Sequence, residues 1–131
     1  MTSFRYGQTK VVKTSYQLVK LTKTDEFSSV FDFRRRISAE YVVLHFRPNQ
    51  LGYPRLGLVA SKKVAKTAVS RNYMRRVLRE LFRAHQPAIP GCDLVINVRK
   101  KFIRADFKQI HQQFNYLCHR LALQNPVDVG A

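Results

Sequence analysis

Apolar positions along this chain follow two different periods. Phe27, Val30 and Phe31 are spaced i, i+3 and i+4, which puts them on one helix face. Thr24 precedes them as a candidate N-cap. Asp25 and Glu26 follow in the first turn, where carboxylates suit the helix dipole, and Arg34–Arg35–Arg36 stand near the expected C-terminal end. Residues 41–47 (YVVLHFR) and 55–61 read as strands. The loop between them carries Asn49 and Gly52 and predicts a hairpin. A further strand is expected over residues 93–99, after the breaker Pro90–Gly91. A long helix is predicted from Ala68 to His85, stopped by Pro87. A last helix is expected from Asp106, with Gln109 three residues on as a capping-box partner. Phe107, Ile110, Phe114, Leu117, Cys118 and Leu121 form its stripe. The pattern by itself gives α-β-β-α-β-α, a mixed α+β domain. Residues 1–20 show no clear period and read as a basic extension, either a flexible arm or a pairing segment around residues 11–18. The expected division is extension 1–20, domain 21–123 and tail 124–131.

Composition changes this picture in one respect. The 131 residues fit one domain, and 45% hydrophobic content supplies a core. Lys and Arg number 24 against 8 Asp and Glu, a formal net charge of +16. Such self-repulsion opposes compaction, and the usual reason to carry it is a polyanionic partner. Cys92 and Cys118 form no C-x-x-C or zinc spacing. There is no apolar run of membrane-spanning length, so a cytoplasmic protein without a membrane partner is expected.

The charge is concentrated on the predicted long helix. At 100° per residue, Arg71, Asn72, Arg75, Arg76, Arg79 and Arg83 fall within an arc of about 140°. Met74, Val77, Leu78 and Leu81 take the opposite side, Phe82 falls at the border of the two, and Glu80, the helix's one acid, lies outside the arc. A solvated face normally mixes signs; this one has no i,i+4 salt-bridge ladder to relieve it. Arginine throughout suits bidentate contacts to phosphate and base edges. Lys62, Lys63 and Lys66 extend the patch.

Catalytic chemistry is hard to find among the remaining residues. Asp25, Glu26, Asp32, Glu40, Glu80, Asp93, Asp106 and Asp128 are dispersed and show no D-x-D or paired motif beyond Asp25–Glu26, which caps a helix. His45, His85, His111 and His119 include no H-x-x-x-H, and His111 and His119 lie about 12 Å apart on a helix.

Two stretches carry a family resemblance. Gly57-Leu-Val-Ala-Ser-Lys62-Lys63-Val, then Ala68-Val-Ser-Arg71-Asn72-Tyr-Met-Arg75-Arg76-Val-Leu-Arg79-Glu80, resemble the signature of the bacterial ribonuclease P protein component. Phe27 and Phe31 match that family's paired aromatics, and Gly91-Cys92-Asp93 matches its Gly-x-Asp before the last strand. The resemblance spans about residues 20–122. Ala65 stands where the family often has Gly, Tyr73 where it often has a basic residue, and the segment after Phe31 lacks a common Gly.

The resemblance implies a single-domain, two-layer α/β sandwich of order α-β-β-β-α-β-α with a left-handed β-α-β crossover, like ribosomal protein S5 domain 2. Right-handed crossovers dominate, so no periodicity argument would supply that handedness. It also implies a subunit of a ribonucleoprotein endonuclease that removes the 5′ leader from precursor tRNA. Catalysis belongs to the RNA there, which also holds Mg²⁺; no organic cofactor and one protein per RNA are expected. Carried over residue by residue, contacts to the RNA subunit fall to Lys62, Lys63, Lys66, Arg71, Asn72, Arg75, Arg76 and Arg79. A leader cleft falls to Phe27, Phe31, Tyr41, Arg99 and Lys100, with Lys101 beside them; rings stack on bases and cations meet phosphates. Phe27 and Phe31 fit a core stripe equally well. A ribosomal or general RNA-binding protein of the same fold, and a protein-only nuclease, are the competing readings.

Overall fold

The computed structural model describes residues 19–124; the extension before residue 19 and the tail from residue 125 lie outside the described residues. Seven elements follow in order: α1 (Thr24–Phe33), β1 (Arg35–Ser38), β2 (Val42–Pro48), β3 (Arg55–Val59), α2 (Ala68–His85), β4 (Cys92–Val98) and α3 (Phe107–Gln124). This is the α-β-β-β-α-β-α order that the resemblance implies. Periodicity alone missed β1.

The physical reason for that miss lies at Arg34. It takes a left-handed conformation (φ 62°) and closes α1 by donating its N–H to Phe31 O at 3.1 Å. Glycine adopts that conformation without the Cβ penalty, which fits the family's preference for Gly in this segment. Arg35 and Arg36 therefore leave the helix and begin β1, where Ile37 is buried opposite Leu44. The expectation that the three arginines end α1 is corrected accordingly.

The sheet runs β1-β2-β4-β3, with β4 antiparallel to β2 and parallel to β3. The expected hairpin of β2 on β3 is thus overturned. Gly52 (φ 84°) does turn the chain, but β4 inserts between the two strands. Local turn signals fix where a chain reverses, not which strand it then pairs with. β4 carries apolar residues toward both faces and is buried along nearly all its length, so it takes the interior. Val19 and Leu21 already pair with the free edge of β3: Leu21 N–H donates to Leu56 O at 2.9 Å and Leu56 N–H to Val19 O at 2.8 Å.

Alternation divides the sheet residues between two faces. Ile37, Leu44, Phe46, Leu56, Leu94, Ile96 and Val98 join Met74, Leu78 and Phe82 of α2 and Ile110, Phe114, Leu117 and Leu121 of α3 in the main core. On the other face α1 covers part of the sheet, with Val30 fully buried beside Val95 and Leu21. α3 begins one residue later than expected, after a 3₁₀ turn at Arg104–Asp106. Asp106 Oδ2 accepts from Ile103 N–H at 2.9 Å, but Gln109 closes no capping box; its Oε1 accepts from the Tyr41 hydroxyl at 2.9 Å. Phe107, expected in the stripe, is exposed.

Candidate nucleic-acid interface

Local chemistry sets up the arginine face of α2. Thr67 caps the helix, its Oγ1 accepting from Ser70 N–H at 3.1 Å. The buried stripe of Met74, Val77, Leu78, Leu81 and Phe82 then fixes the rotation of the helix. Asn72, Arg76 and Arg83 are consequently exposed, while Arg71, Arg75 and Arg79 are half-buried along the flanks. Arg71 Nη1 donates to Ala65 O at 2.9 Å and Lys66 O at 3.0 Å. It ties the exposed Lys62, Lys63 and Lys66 to the start of α2, so the loop lysines and the helix form one surface. Arg75 Nη1 donates to Asn72 Oδ1 at 3.3 Å, and Arg76 lies 5.9 Å from the Tyr73 ring centroid. Tyr73 packs edge-on against Phe102, which gives this departure from the family pattern a core role. Ala65 is buried and needs no positive φ, so no glycine is required there. Among the described residues no α2 arginine has a carboxylate partner; the ion pairs are Arg55 with Glu26 and Asp93, and Lys100 with Glu40.

The five residues read as a leader cleft do not form one cluster. Phe27 and Phe31 both lie on α1 but meet different strands. Phe31 is 39% exposed, with its ring edge-on to His45 of β2 at 4.7 Å between centroids. Arg36 of β1 is the register partner of His45. Burial first, and the Arg36 charge second, push the His45 imidazole below its ordinary pKa of 6.5. Phe27 is half-buried, with its ring against Gly57 of β3; a Cβ at that position would sit 2.6 Å from two ring carbons. Gly57 is therefore what lets the ring lie against the strand.

Tyr41 belongs elsewhere. It is buried in the main core, its N–H donating to Gln113 Oε1 at 3.0 Å and its ring edge-on to Phe102. Lys100 lies 4.8 Å from the Tyr41 ring centroid and pairs with Glu40 at 2.6 Å. Arg99 is exposed just past β4, anchored by its N–H to Tyr41 O at 2.8 Å and reaching Ala39 O at 3.4 Å. Lys101 is exposed beside it.

Sequence reading missed Arg36 and His45, which the β1–β2 register brings beside Phe31. It also missed a polar network that seats α1. Arg55 donates to both Asp93 oxygens at 2.8 Å and to Glu26 Oε2 at 3.1 Å. Asn49 Nδ2 donates to Asp93 Oδ1 at 2.9 Å. Glu26 Oε1 accepts the backbone N–H groups of Thr22 and Lys23 at 3.0 and 3.1 Å. Those backbone bonds, ahead of the Arg55 charge, hold the Glu26 carboxyl below its ordinary value. Burial pushes Asp93 up, but hydrogen bonds from Arg55 and Asn49 and the Arg55 charge outweigh it and leave the carboxyl lowered. Only the proximity of Gly91 and Asp93 in sequence hinted at this. Among the described residues no three His, Cys, Asp or Glu side chains converge in a way that could hold a metal ion, and no helix is long and apolar enough to cross a membrane.

Known proteins resemble this chain in sequence and in fold. The family model described as Ribonuclease P matches residues 17–122. The ribonuclease P protein component of Azoarcus sp. is 43% identical over 102 residues, covering 78% of this chain and 85% of the relative. That of Pseudomonas aeruginosa is 40% identical over 108 residues, covering 82% and 80%. A solved RNase P protein from Thermotoga maritima superposes with a TM-score of 0.68 at 34% identity, covering 76% of this chain and 96% of that one. The Staphylococcus aureus RNase P protein shares the fold, with a TM-score of 0.62 at 22% identity over 80% and 93% of the two chains.

Proposed function

The chain belongs to the ribonuclease P protein family, and from that membership we propose that it binds the RNA subunit through α2 and its lysine loop and receives the 5′ leader of precursor tRNA beside α1. The observation that carries this reading is the unpaired arginine face of α2. About a third of a turn around the helix from a fully packed stripe, it presents five arginines with no acid partner among the described residues. Solvated surfaces relieve like charge by mixing signs, so a ribbon of one sign fits a polyanion.

Phe31, His45 and Arg36 supply a ring and a cation for a single strand, the combination that binds unpaired nucleotides. The protein's part is electrostatic and positional: its cations screen phosphate repulsion, and its rings hold the leader. Phosphodiester cleavage and the Mg²⁺ for it belong to the RNA in this reading, with one protein per RNA.

Reconstitution tests it. Adding the full chain to ribonuclease P RNA should lower the Mg²⁺ needed to cleave precursor tRNA, while the chain without RNA should not cleave. Unchanged RNA catalysis at every Mg²⁺ concentration would remove the assignment. Cleavage by RNA-free protein would favour a protein-only nuclease, and RNA binding without any effect on processing would favour a general RNA-binding protein.

A further inference from the structure

Away from the arginine face, the C-terminal end of α2 meets the first half of α3 through two imidazoles. His85 is the last residue of α2 and His111 lies in the second turn of α3. Their ring centroids are 6.0 Å apart, and both side chains are half-buried. Aromatic rings hold them in place: Phe114 lies 5.2 Å from His85 and Phe107 lies 6.0 Å from His111, centroid to centroid. The bonding of His85 is directional. Its Nδ1 lies 2.8 Å from the Leu81 carbonyl, which only accepts, so Nδ1 is the donor. In a neutral imidazole Nε2 is then a lone-pair nitrogen, and the atom it meets is Asn115 Oδ1, another acceptor. Unless the Asn115 amide turns to present its NH2, two acceptors converge where one cation would satisfy both. The His111 ring has no hydrogen bond of its own among the described residues. Burial first, and His85 second, push that imidazole below its ordinary 6.5, so its lone pair is available at neutral pH.

We propose that His85 and His111 form a two-histidine site for a transition-metal ion of the Zn²⁺ class, with Asn115 Oδ1 and water completing its coordination. At a metal–nitrogen distance of about 2.0–2.1 Å each ring centroid stands about 3 Å from the ion, so two imidazoles at a tetrahedral angle lie about 5 Å apart. The rings have to close by about 1 Å from their 6.0 Å separation, which side-chain rotation supplies. The Leu81 carbonyl is the outer partner that a ligating histidine usually has, fixing its tautomer and ring plane. Asn115 is exposed, so one side of the site opens to solvent for entry and for water ligands. The carbonyl end of α2 adds the negative pole of its dipole. Imidazole selects Zn²⁺, Cu²⁺ or Ni²⁺ over hard Mg²⁺, so the site stands apart from the RNA-binding reading and from any Mg²⁺ held by RNA. Two histidines and an amide are fewer protein ligands than a closed structural zinc site has, and the ion is therefore exchangeable. Its ligands come from two helices, so it binds the folded chain and ties α2 to α3.

Titration of the full chain with Zn²⁺ alone tests the site, at about pH 7.5, where ordinary imidazoles are neutral. Calorimetry should show one ion bound per chain in the micromolar range, and the melting temperature should rise with Zn²⁺ concentration. His85→Gln and His111→Gln should each weaken binding by about tenfold or more, since even an outer-shell partner is worth about 10–100-fold. His119→Gln, on the outer side of α3, should bind as the wild type does. Absence of saturable binding, or wild-type affinity in both variants, would overturn the proposal. Loss in only one of the two would overturn the shared site. Should either variant fail to fold, imidazole nitrogen resonances of the wild-type chain decide the point. Zn²⁺ is expected to shift those of His85 and His111 together, and shifts confined to His45 or His119 would overturn the assignment.

Discussion

Phe31 on α1 and two arginines on α2 show how far neighbours decide what a side chain does. Phe31 packs edge-on against His45 yet leaves 39% of itself exposed. Phe31→Leu keeps much of the volume but cannot stack. Affinity for long-leader substrate should fall by about 1–3 kcal/mol, with one-nucleotide-leader substrate and RNA-subunit affinity nearly unchanged. Equal loss on both substrates with a lowered melting temperature would show that the ring is only packing. Arg71 and Arg75 look alike in sequence, but Arg71 is bonded to the carbonyls of Ala65 and Lys66. Arg71→Ala should therefore cost about 1–2 kcal/mol of stability as well as RNA affinity. Arg75→Ala, which loses only a 3.3 Å bond to Asn72, should weaken assembly with little change in melting temperature. Thermal melts and RNA titrations of the two variants side by side check the contrast.

At the scale of elements, the seat of α1 depends on Arg55. Its guanidinium joins the start of α1, through Glu26, to the buried Asp93 of β4. Arg55→Ala would leave the Asp93 carboxylate buried with Asn49 as its remaining side-chain donor. A loss of about 2–4 kcal/mol is expected by denaturant unfolding. Because the Asp93 carboxyl is lowered from 3.8 in the fold, its contribution is fully present above that value and is lost as pH falls through the lower, folded pKa. His45 and His111 act earlier. Both are lowered from 6.5, mainly by burial, so the unfolded chain takes up those protons first. Stability should begin to decline as pH falls through about 6.5, and decline again below about 4 in a way that Arg55→Ala weakens. A pH series of urea midpoints for the two proteins reads both steps.

For the whole molecule, a net charge of +16 sets the behaviour toward polyanions. If six to eight cations meet phosphates on the RNA subunit, log affinity should fall with log salt at a slope of about −5 to −7. A slope near zero across a salt titration would remove the electrostatic account. The same cations oppose folding by self-repulsion, so added phosphate or sulfate should raise the melting temperature of the free protein.

The sequence by itself determined the elements whose period is long and whose ends are chemically marked. α2 runs from Ala68 to His85 as its apolar stripe and Pro87 require, and that stripe alone dictates which side the arginines face. The mixed fold class and the basic face of α2 follow from the same pattern, while the element order along the chain, β1 included, came from the family resemblance. Pairings between distant residues were decided only by the tertiary structure. β4 separates β2 from β3 because strand partners are chosen by burial on two faces, which no turn residue encodes. Gln109 abandons a capping box for the Tyr41 hydroxyl 68 residues away, and Tyr41, expected at a cleft, lies in the core. Phe27 and Phe31 share a helix face, yet the strands beneath send one toward the arginines of α2 and the other toward His45. Helical period is a property of neighbours along the chain. What a side chain finally touches depends on which strand passes beneath it, and only the packed sheet fixes that.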